Sequence, residues 1–458
     1  MATITFLGAA GTVTGSKYLV KGKQGSVLVD AGLFQGGHEL RDRNWEAPPK
    51  ELEEVDAVLL THAHIDHTGM LPRWGAQGLN CPIYGTHPTV ALAGILLPDS
   101  GRLQEEEASY RVHRVGSRHR HPQPLYTEED ARRVLTLFQA VPLESDVPVA
   151  PGITAQWSLV GHILGACSIR LTVDGKTILL SGDIGRYSDD LLMAPKPPCF
   201  AEVMLMESTY GGRSHGDVNL QEAVGDIINE TVARRGLVLI PSFAVGRTQQ
   251  LLYHLKQLKM RSAIPDIPIV VDSPMARDAT EIYARYLSFL APSVRSLLTH
   301  DGGPFRPSHL GFTASREDSK RLNDIDEPMV LIAASGMLSG GRVLHHLSMR
   351  VSNPRNTVLF VGFQPPGGRG DEILRGAPSI RVFHEEVPVR AVIREVSGLS
   401  AHADHGELLR WAGEGEGRPD RVFLVHGEPS SAAALKEDLI AQKSWSVSVA
   451  AHRQEVVV

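Results

Sequence analysis

Short apolar runs separated by glycine and polar turns open the chain. Thr3–Leu7, Lys17–Val20, Val27–Val29 and Ala57–Leu60 are brief and rich in β-branched or large apolar residues, which predicts strands. Helical patterns follow near Val90–Leu97 and Glu128–Phe138. The second opens on Thr127 with glutamate just inside it, a capping pattern. Strand character returns at Ile153–Val160, Ile169–Val173 and Thr177–Leu180, and Asp174-Gly175 between the last two predicts a tight hairpin. After about residue 208 the rhythm changes. Val238–Ile240, Ile269–Val271, Met329–Ile332 and Val358–Val361 alternate with helical stretches of roughly ten to fifteen residues, the pattern of a parallel sheet covered by helices. Ser379–Glu395 brings strands back, followed by a helix near Asp404–Trp411, a strand at Arg421–Val425 and a closing helix.

Composition narrows the class. The chain has 458 residues, 42% of them hydrophobic and 21% charged, enough apolar material for a sizeable core. That balance excludes a disordered tail, a coiled coil and a collagen-like repeat. The formal net charge of −6 argues, taken alone, against nucleic acid as a partner. Cys81, Cys167 and Cys199 lie far apart with no Cys-x-x-Cys pair, so they make neither a disulfide framework nor a thiolate zinc cage and read as small buried residues. The segment from Met1 to Gly8 has no basic stretch before an apolar core, and the run Val90–Pro98 is far short of the ~20 residues that span a bilayer. The expectation is a soluble, cytoplasmic protein without a membrane partner. The 20 histidines are about twice the general expectation for this length. Without a His-rich tract, that excess points to a metal or acid/base site dispersed along the chain.

The densest histidine cluster follows the strand Ala57–Leu60: Thr61-His62-Ala63-His64-Ile65-Asp66-His67. Strand alternation puts His62 and His64 on one side, and a turn there can bring Asp66 and His67 round to a neighbouring point. Imidazole nitrogen and carboxylate oxygen are donors for Zn²⁺ or a similar divalent ion. One such cluster cannot close two metal sites, so further ligands are expected at other strand ends. His162, Asp183 and His426 each stand just past an apolar strand and beside glycine.

Together these residues resemble the metallo-β-lactamase fold: His62-x-His64-x-Asp66-His67, then His162, then Asp183, with Asp30 as the early strand-end aspartate. Glu207 in Glu207-Ser208-Thr209-Tyr210-Gly211, His402 in Ser400-Ala401-His402-Ala403-Asp404 and His426 in Val425-His426-Gly427-Glu428 resemble the three extra motifs of the β-CASP branch, which processes nucleic acids. Pro241–Arg247 and Ala334–Leu338 are similar to segments of the RNA-cleaving members related to the cleavage-and-polyadenylation endonuclease subunit. The resemblance implies an α/β architecture: an αββα metallo-β-lactamase sandwich from residues 1–208 and 380–458, with an α/β parallel-sheet β-CASP domain, 209–379, inserted.

The resemblance also implies roles. His62, His64 and His162 would hold one ion, Asp66, His67 and His426 the other, and Asp183 would bridge them together with a water or hydroxide. The ions would be zinc, with manganese the alternative. Asp30 would orient a ligand histidine through its far nitrogen. His402 would protonate the leaving group, with Glu207 holding and charging its imidazole. Histidine at 426 is the residue RNA-acting members tend to carry, where DNA-repair members have an apolar one. The implied activity is metal-dependent hydrolysis of single-stranded RNA, endonucleolytic, with a 5′-to-3′ exoribonuclease and a DNA nuclease as rivals. The chain ends soon after His426, leaving no room for the extra C-terminal domain of the exonuclease/endonuclease J type, which favours an endonuclease. A catalytically dead scaffold would have lost ligands, and none is missing here.

RNA binding by an acidic protein requires segregated charge. The stretch from Arg111 to His121 holds four arginines and three histidines in eleven residues and no acid, a candidate groove edge. Arg247, after Gly246, is expected to open a helix facing a phosphate. Ser335 and Gly336 begin a loop with three glycines in seven residues, whose amides could approach the substrate. Composition names no protein partner and leaves a homo-oligomer open.

Overall fold

The computed structural model describes residues 1–458 apart from 113–121, 217–218, 300–301, 363 and 397–399. The chain divides into two compact units, Met1–Ser214 with His402–Val458, and His215–Ala401. Among the described residues, the first unit is built on two seven-stranded sheets. One runs in the order Glu455–Val457, Thr3–Phe6, Tyr18–Lys21, Ser26–Val29, Ala57–Leu59, Ile83–Thr86, Phe138–Val141. The other runs Val447–Val449, Arg421–Val425, Val203–Glu207, Lys176–Leu180, Cys167–Val173, Ile153–Leu159, Val147–Ala150. Phe6 of the first sheet meets Phe423 of the second with ring centroids 5.4 Å apart, and the Trp157 indole donates to the Leu60 carbonyl at 3.0 Å.

Alternation along the second sheet assigns its two faces. Leu179, Met204, Met206, Val422 and Leu424 pack outward against Leu408 and Trp411 of the helix His405–Glu414 and Leu435 and Leu439 of the helix Pro429–Lys443. The helix His87–Val112 packs on the strands Ile83–Thr86 and Phe138–Val141 of the other sheet. Helix, sheet, sheet, helix is the layering the motifs imply. The hairpin joining Cys167–Val173 to Lys176–Leu180 turns on Asp174 (φ 51°) and Gly175 (φ 78°), the left-handed pair a two-residue turn requires.

The second unit holds a six-stranded sheet in the order Leu310–Phe312, Ile269–Asp272, Val330–Ala333, Val238–Pro241, Thr357–Phe360, Val392–Glu395, among the described residues. Every pairing in it is parallel. Beside it, the hairpin Ser379–Val382/Glu385–Pro388 turns on Phe383 (φ 48°) and His384 (φ 71°). Left-handed backbone costs a residue with a Cβ roughly 1–2 kcal/mol.

Two expectations differ from the structure, and one strand lies outside them. The return to the first unit, expected at 380, falls after Ala401, because Val392–Glu395 extends the inserted unit's parallel sheet beside Thr357–Phe360. The helix expected over Val90–Leu97 runs from His87 to Val112 and continues through Pro98. Its polar second half is held by tertiary contact: Gln104 Oε1 accepts from the Leu125 amide at 3.1 Å, and a Cβ on Gly101 would lie 2.7 Å from the Glu128 nitrogen. Val203–Glu207 is a central, fully buried strand with a parallel neighbour on each side. Its continuous apolar run lacks the alternation of a half-exposed strand and leaves no period to read. The basic stretch 111–121 falls, beyond its first two residues, outside the described residues. No helix among the described residues is long and apolar enough to cross a membrane.

Candidate metal centre

Strand ends deliver the candidate ligands, all within the first unit. Ala57–Leu59 runs into the histidine loop, where His64 is the N-cap of the short helix Ile65–Thr68 that carries Asp66 and His67. Asp30 follows Ser26–Val29, His162 follows Ile153–Leu159, Asp183 follows Lys176–Leu180 and His426 follows Arg421–Val425. Gly182 (φ 58°) allows the chain to pass close beneath the loop: a Cβ there would meet the Cys167 carbonyl at 2.8 Å and Thr61 Cβ at 2.9 Å.

Two donor groups result: His62, His64, His162 and Asp183, and Asp66, His67 and His426. In the first, His64 Nδ1 lies 3.0 Å from His62 Nε2 and 3.1 Å from His162 Nε2, and both Nε2 atoms are 3.7 Å from Asp183 Oδ2. In the second, His67 Nε2 is 3.2 Å from His426 Nε2, which is 3.5 Å from Asp66 Oδ2. The other oxygen of Asp183, Oδ1, faces this group, 3.4 Å from His67 Nε2.

Hydrogen bonds outside the cluster set the tautomers within it. Asp30 Oδ1 accepts from the Thr61 amide at 2.9 Å, and its Oδ2 accepts from the Thr61 hydroxyl at 2.8 Å and from His67 Nδ1 at 2.7 Å. The Thr61 hydroxyl, having donated to Asp30, is an acceptor for His62 Nδ1 at 3.1 Å. Thr209 Oγ1 donates to the His426 carbonyl at 3.0 Å and so accepts from His426 Nδ1 at 3.1 Å. Each of these three imidazoles therefore commits its Nδ1 hydrogen outward and turns an Nε2 lone pair inward. Burial holds His62 well below the ordinary imidazole range and brings His64 down to about 4. Asp183 Oδ1 is buried without a hydrogen-bond donor.

That donor set fits divalent cations. The Nε2 lone pairs of His67 and His426, facing one another at 3.2 Å, do not make a hydrogen bond, and the spacing approaches the edge of about 3.4 Å expected between nitrogens on one tetrahedral zinc. An orphaned carboxylate oxygen at their centre requires a positive partner.

Beside the first group stands His402, its ring centroid 4.4 Å from that of His162. His402 Nδ1 is 3.2 Å from Glu207 Oε1. Glu207, fully buried at the end of its strand, is itself fixed: Oε1 accepts from the Ile184 amide at 2.7 Å and Oε2 from the Thr209 amide at 3.2 Å. Burial lowers the His402 pKa, but the Glu207 charge and hydrogen bond, together with the charges of Asp183 and Asp66, outweigh it and raise the value to about 9. The raised pKa favours the cation at neutral pH, with Nδ1 engaged by Glu207.

The three candidate substrate residues lie in the second unit. Arg247 opens the helix Arg247–Met260 after Gly246 (φ 80°), and its Nη1 donates to Gln250 Oε1 at 3.0 Å. Ser335 and Gly336 follow Val330–Ala333, and a Cβ on Gly336 would lie 3.1 Å from the Phe243 nitrogen. All three sit past the carboxyl ends of the adjacent strands Val238–Pro241 and Val330–Ala333. From those ends the chain departs in opposite directions, towards Ile269–Asp272 and towards Thr357–Phe360. Such a switch point is where open parallel sheets bind ligands.

Sequence reasoning missed Thr61 and Thr209, the hydroxyls that orient His62 and His426. Both stand beside motif residues, but a threonine next to a motif carries no signal of its own until its partner, in Thr209's case 217 residues away, is in place.

Convergent imidazoles and carboxylates at the rim of a two-sheet sandwich define a metallo-hydrolase site. Comparison with known proteins agrees. Residues 10–218 match the model of the metallo-beta-lactamase superfamily, 248–373 the Beta-Casp domain, and 386–450 the Zn-dependent metallo-hydrolase RNA specificity domain. The chain belongs to the β-CASP family of the metallo-β-lactamase superfamily. It is 39% identical to ribonuclease TTHA0252 of Thermus thermophilus over 98% of this chain and 99% of that one. An RNase J-like protein of Methanocaldococcus jannaschii is 30% identical over 93% of each chain. Transcription termination factor FttA of Pyrococcus abyssi is 31% identical over 94% of this chain and 67% of its own length. A crystal structure of a protein of unknown function from Enterococcus faecalis V583 shares the fold over 100% of both chains, with a TM-score of 0.55 at 12% identity.

Proposed function

We propose that the protein is a metal-dependent ribonuclease that hydrolyses phosphodiester bonds within single-stranded RNA. One observation carries the reading: Asp183 turns one oxygen to each donor group, directly beside a histidine held protonated by Glu207. The relatives named ribonuclease and the RNA specificity domain support RNA as the substrate.

His62, His64 and His162 would hold one ion, Asp66, His67 and His426 a second, with Asp183 shared. Zinc suits these ligands and manganese is the alternative. Divalent cations bound there would supply Lewis-acid charge, lowering the pKa of water and offsetting charge on the scissile phosphate. The remaining work belongs to the protein. Asp30, Thr61 and Thr209 hold imidazole lone pairs on target, so the ligands need not reorganise during reaction. His402 keeps a proton on Nε2 for the departing oxygen, and Glu207 stabilises that proton until transfer. Arg247, Ser335 and Gly336 would receive the RNA backbone at the sheet-end switch point.

The test uses His64→Ala and Asp183→Asn with internally labelled and 5′-labelled RNA, each with and without a 5′ phosphate. Both variants should retain the wild-type circular dichroism spectrum and lose cleavage by at least about a thousandfold. Internal fragments formed independently of the 5′ end are expected. Mononucleotides released in order from that end would make the enzyme an exonuclease, and full activity in either variant would remove the metal centre from the chemistry.

A further inference from the structure

We propose that the tip of the hairpin Ser379–Val382/Glu385–Pro388, together with His345, is a stacking platform for an unpaired base of single-stranded RNA, flanked by cations for the adjoining phosphates. The inference rests on the RNA reading above and adds a binding site that the catalytic machinery does not use.

The turn itself raises the question. Phe383 and His384 occupy the two left-handed positions of a two-residue hairpin, where Asn-Gly is the unstrained choice. Burial does not offset that strain, since Phe383 is 50% exposed and His384 is exposed as well. What the turn achieves is presentation. The Phe383 ring stands 4.4 Å from that of His345 at an interplanar angle of 30°, a near-parallel pair on the protein surface. Met349, one helical turn beyond His345 on Arg342–Arg350, is 62% exposed and extends the apolar face.

Charge selects the occupant. Arg316 and Lys320 occupy one face of the helix Arg316–Arg321, and both act electrostatically on His345. Two acids lie between them: Asp318 is engaged in the cap of its own helix, and Glu317 is exposed. Arg381, two residues before the tip, is exposed, and Glu386 across the hairpin from it accepts from the Ser379 hydroxyl. Partial burial, then His346 and Arg316, keep the His345 pKa below its ordinary value, so a neutral ring faces the phenyl group at pH 7. Aromatic faces edged by arginine and lysine bind single strands by stacking, whatever the base, and each such contact is worth enough to measure on alanine substitution.

The full-length metal-loaded enzyme is assayed on a ladder of unstructured RNAs of increasing length. Phe383→Ala should raise KM roughly five- to hundredfold on the longer RNAs, leave kcat within about twofold, and have no effect on RNAs too short to reach the platform. Phe383→Trp should keep KM within about twofold of wild type. The pair Phe383→Asn with His384→Gly relaxes the turn, so its thermal midpoint should equal or exceed that of wild type while its KM is as poor as that of Phe383→Ala. Unchanged KM in Phe383→Ala on every length overturns the proposal. A change in molar mass by light scattering, with RNA affinity intact, would make the tip a protein interface and overturn it too. A wild-type protein that neither binds nor cuts RNA would sink the RNA reading, and this inference with it. That outcome is separate from one in which wild type and variants cleave alike.

Discussion

Glu207→Gln isolates the charge that keeps His402 protonated. The substitution preserves side-chain shape and an acceptor for the Ile184 amide, now met at 2.7 Å, so the strand end should stay in place. It removes the largest influence raising the His402 pKa from 6.5 to about 9, while the burial that opposes it remains. The variant value therefore falls from about 9 towards the ordinary imidazole range, with the charges of Asp183 and Asp66 still raising it. A general acid works only in its protonated form, so the rate is lost as pH rises through this pKa. At pH 8 a group with a pKa of 9 is about 90% protonated and one of 6.5 about 3%, so the defect approaches about thirtyfold. At pH 6 the same comparison gives less than twofold. The assay is single-turnover cleavage of a labelled RNA from pH 5.5 to 9.5 under saturating metal. The alkaline limb should move to lower pH in the variant. Parallel profiles offset by a constant factor would refute the assignment, leaving Glu207 a structural anchor.

Two further outcomes follow from the packing around the site. Thr209→Val keeps the shape but removes the oxygen that accepts from His426 Nδ1 at 3.1 Å. Competition against a chelator, read by mass spectrometry, should show about ten- to hundredfold weaker retention of one equivalent of metal, restored by Thr209→Ser. Equal retention would show that His426 orients itself. Trp411→Ala empties a fully buried position on the helix that follows His402 and frees the Lys196 carbonyl, which accepts from the indole at 2.8 Å. Chemical denaturation should report a loss of about 3–5 kcal/mol. A loss under about 1 kcal/mol would mean that the outer helices are not packed as described.

Much of the centre was legible because its chemistry is concentrated. Four donors within six residues, His62 to His67, announce a metal loop without any tertiary information. The hairpin at Asp174-Gly175 was equally plain, since the left-handed turn is a demand on those two residues alone. Phe383-His384 makes the same turn, yet nothing in its composition signals it, because strain is invisible until the pairing on either side imposes it. Net charge decides little when a site can carry metal. A formal −6 did not exclude nucleic acid.

By itself the sequence determined the kinds of donor, their place at strand ends, the βα alternation of the inserted unit and the local turns. All of these depend on neighbours within a few residues. Which donors share a site, carried in the sequence only by its resemblance to a family, is brought about by tertiary structure. His67 and His426, 359 residues apart, come within 3.2 Å only because the strand Arg421–Val425 inserts beside Val203–Glu207 in exact parallel register. The strand Glu455–Val457 closes the opposite sheet against Thr3–Phe6. The end of the inserted unit at Ala401 and the orienting hydroxyls of Thr61 and Thr209 were decided in the same way. Such pairings are chosen by the burial of whole faces at once, a cooperative quantity that no local stretch of chain encodes.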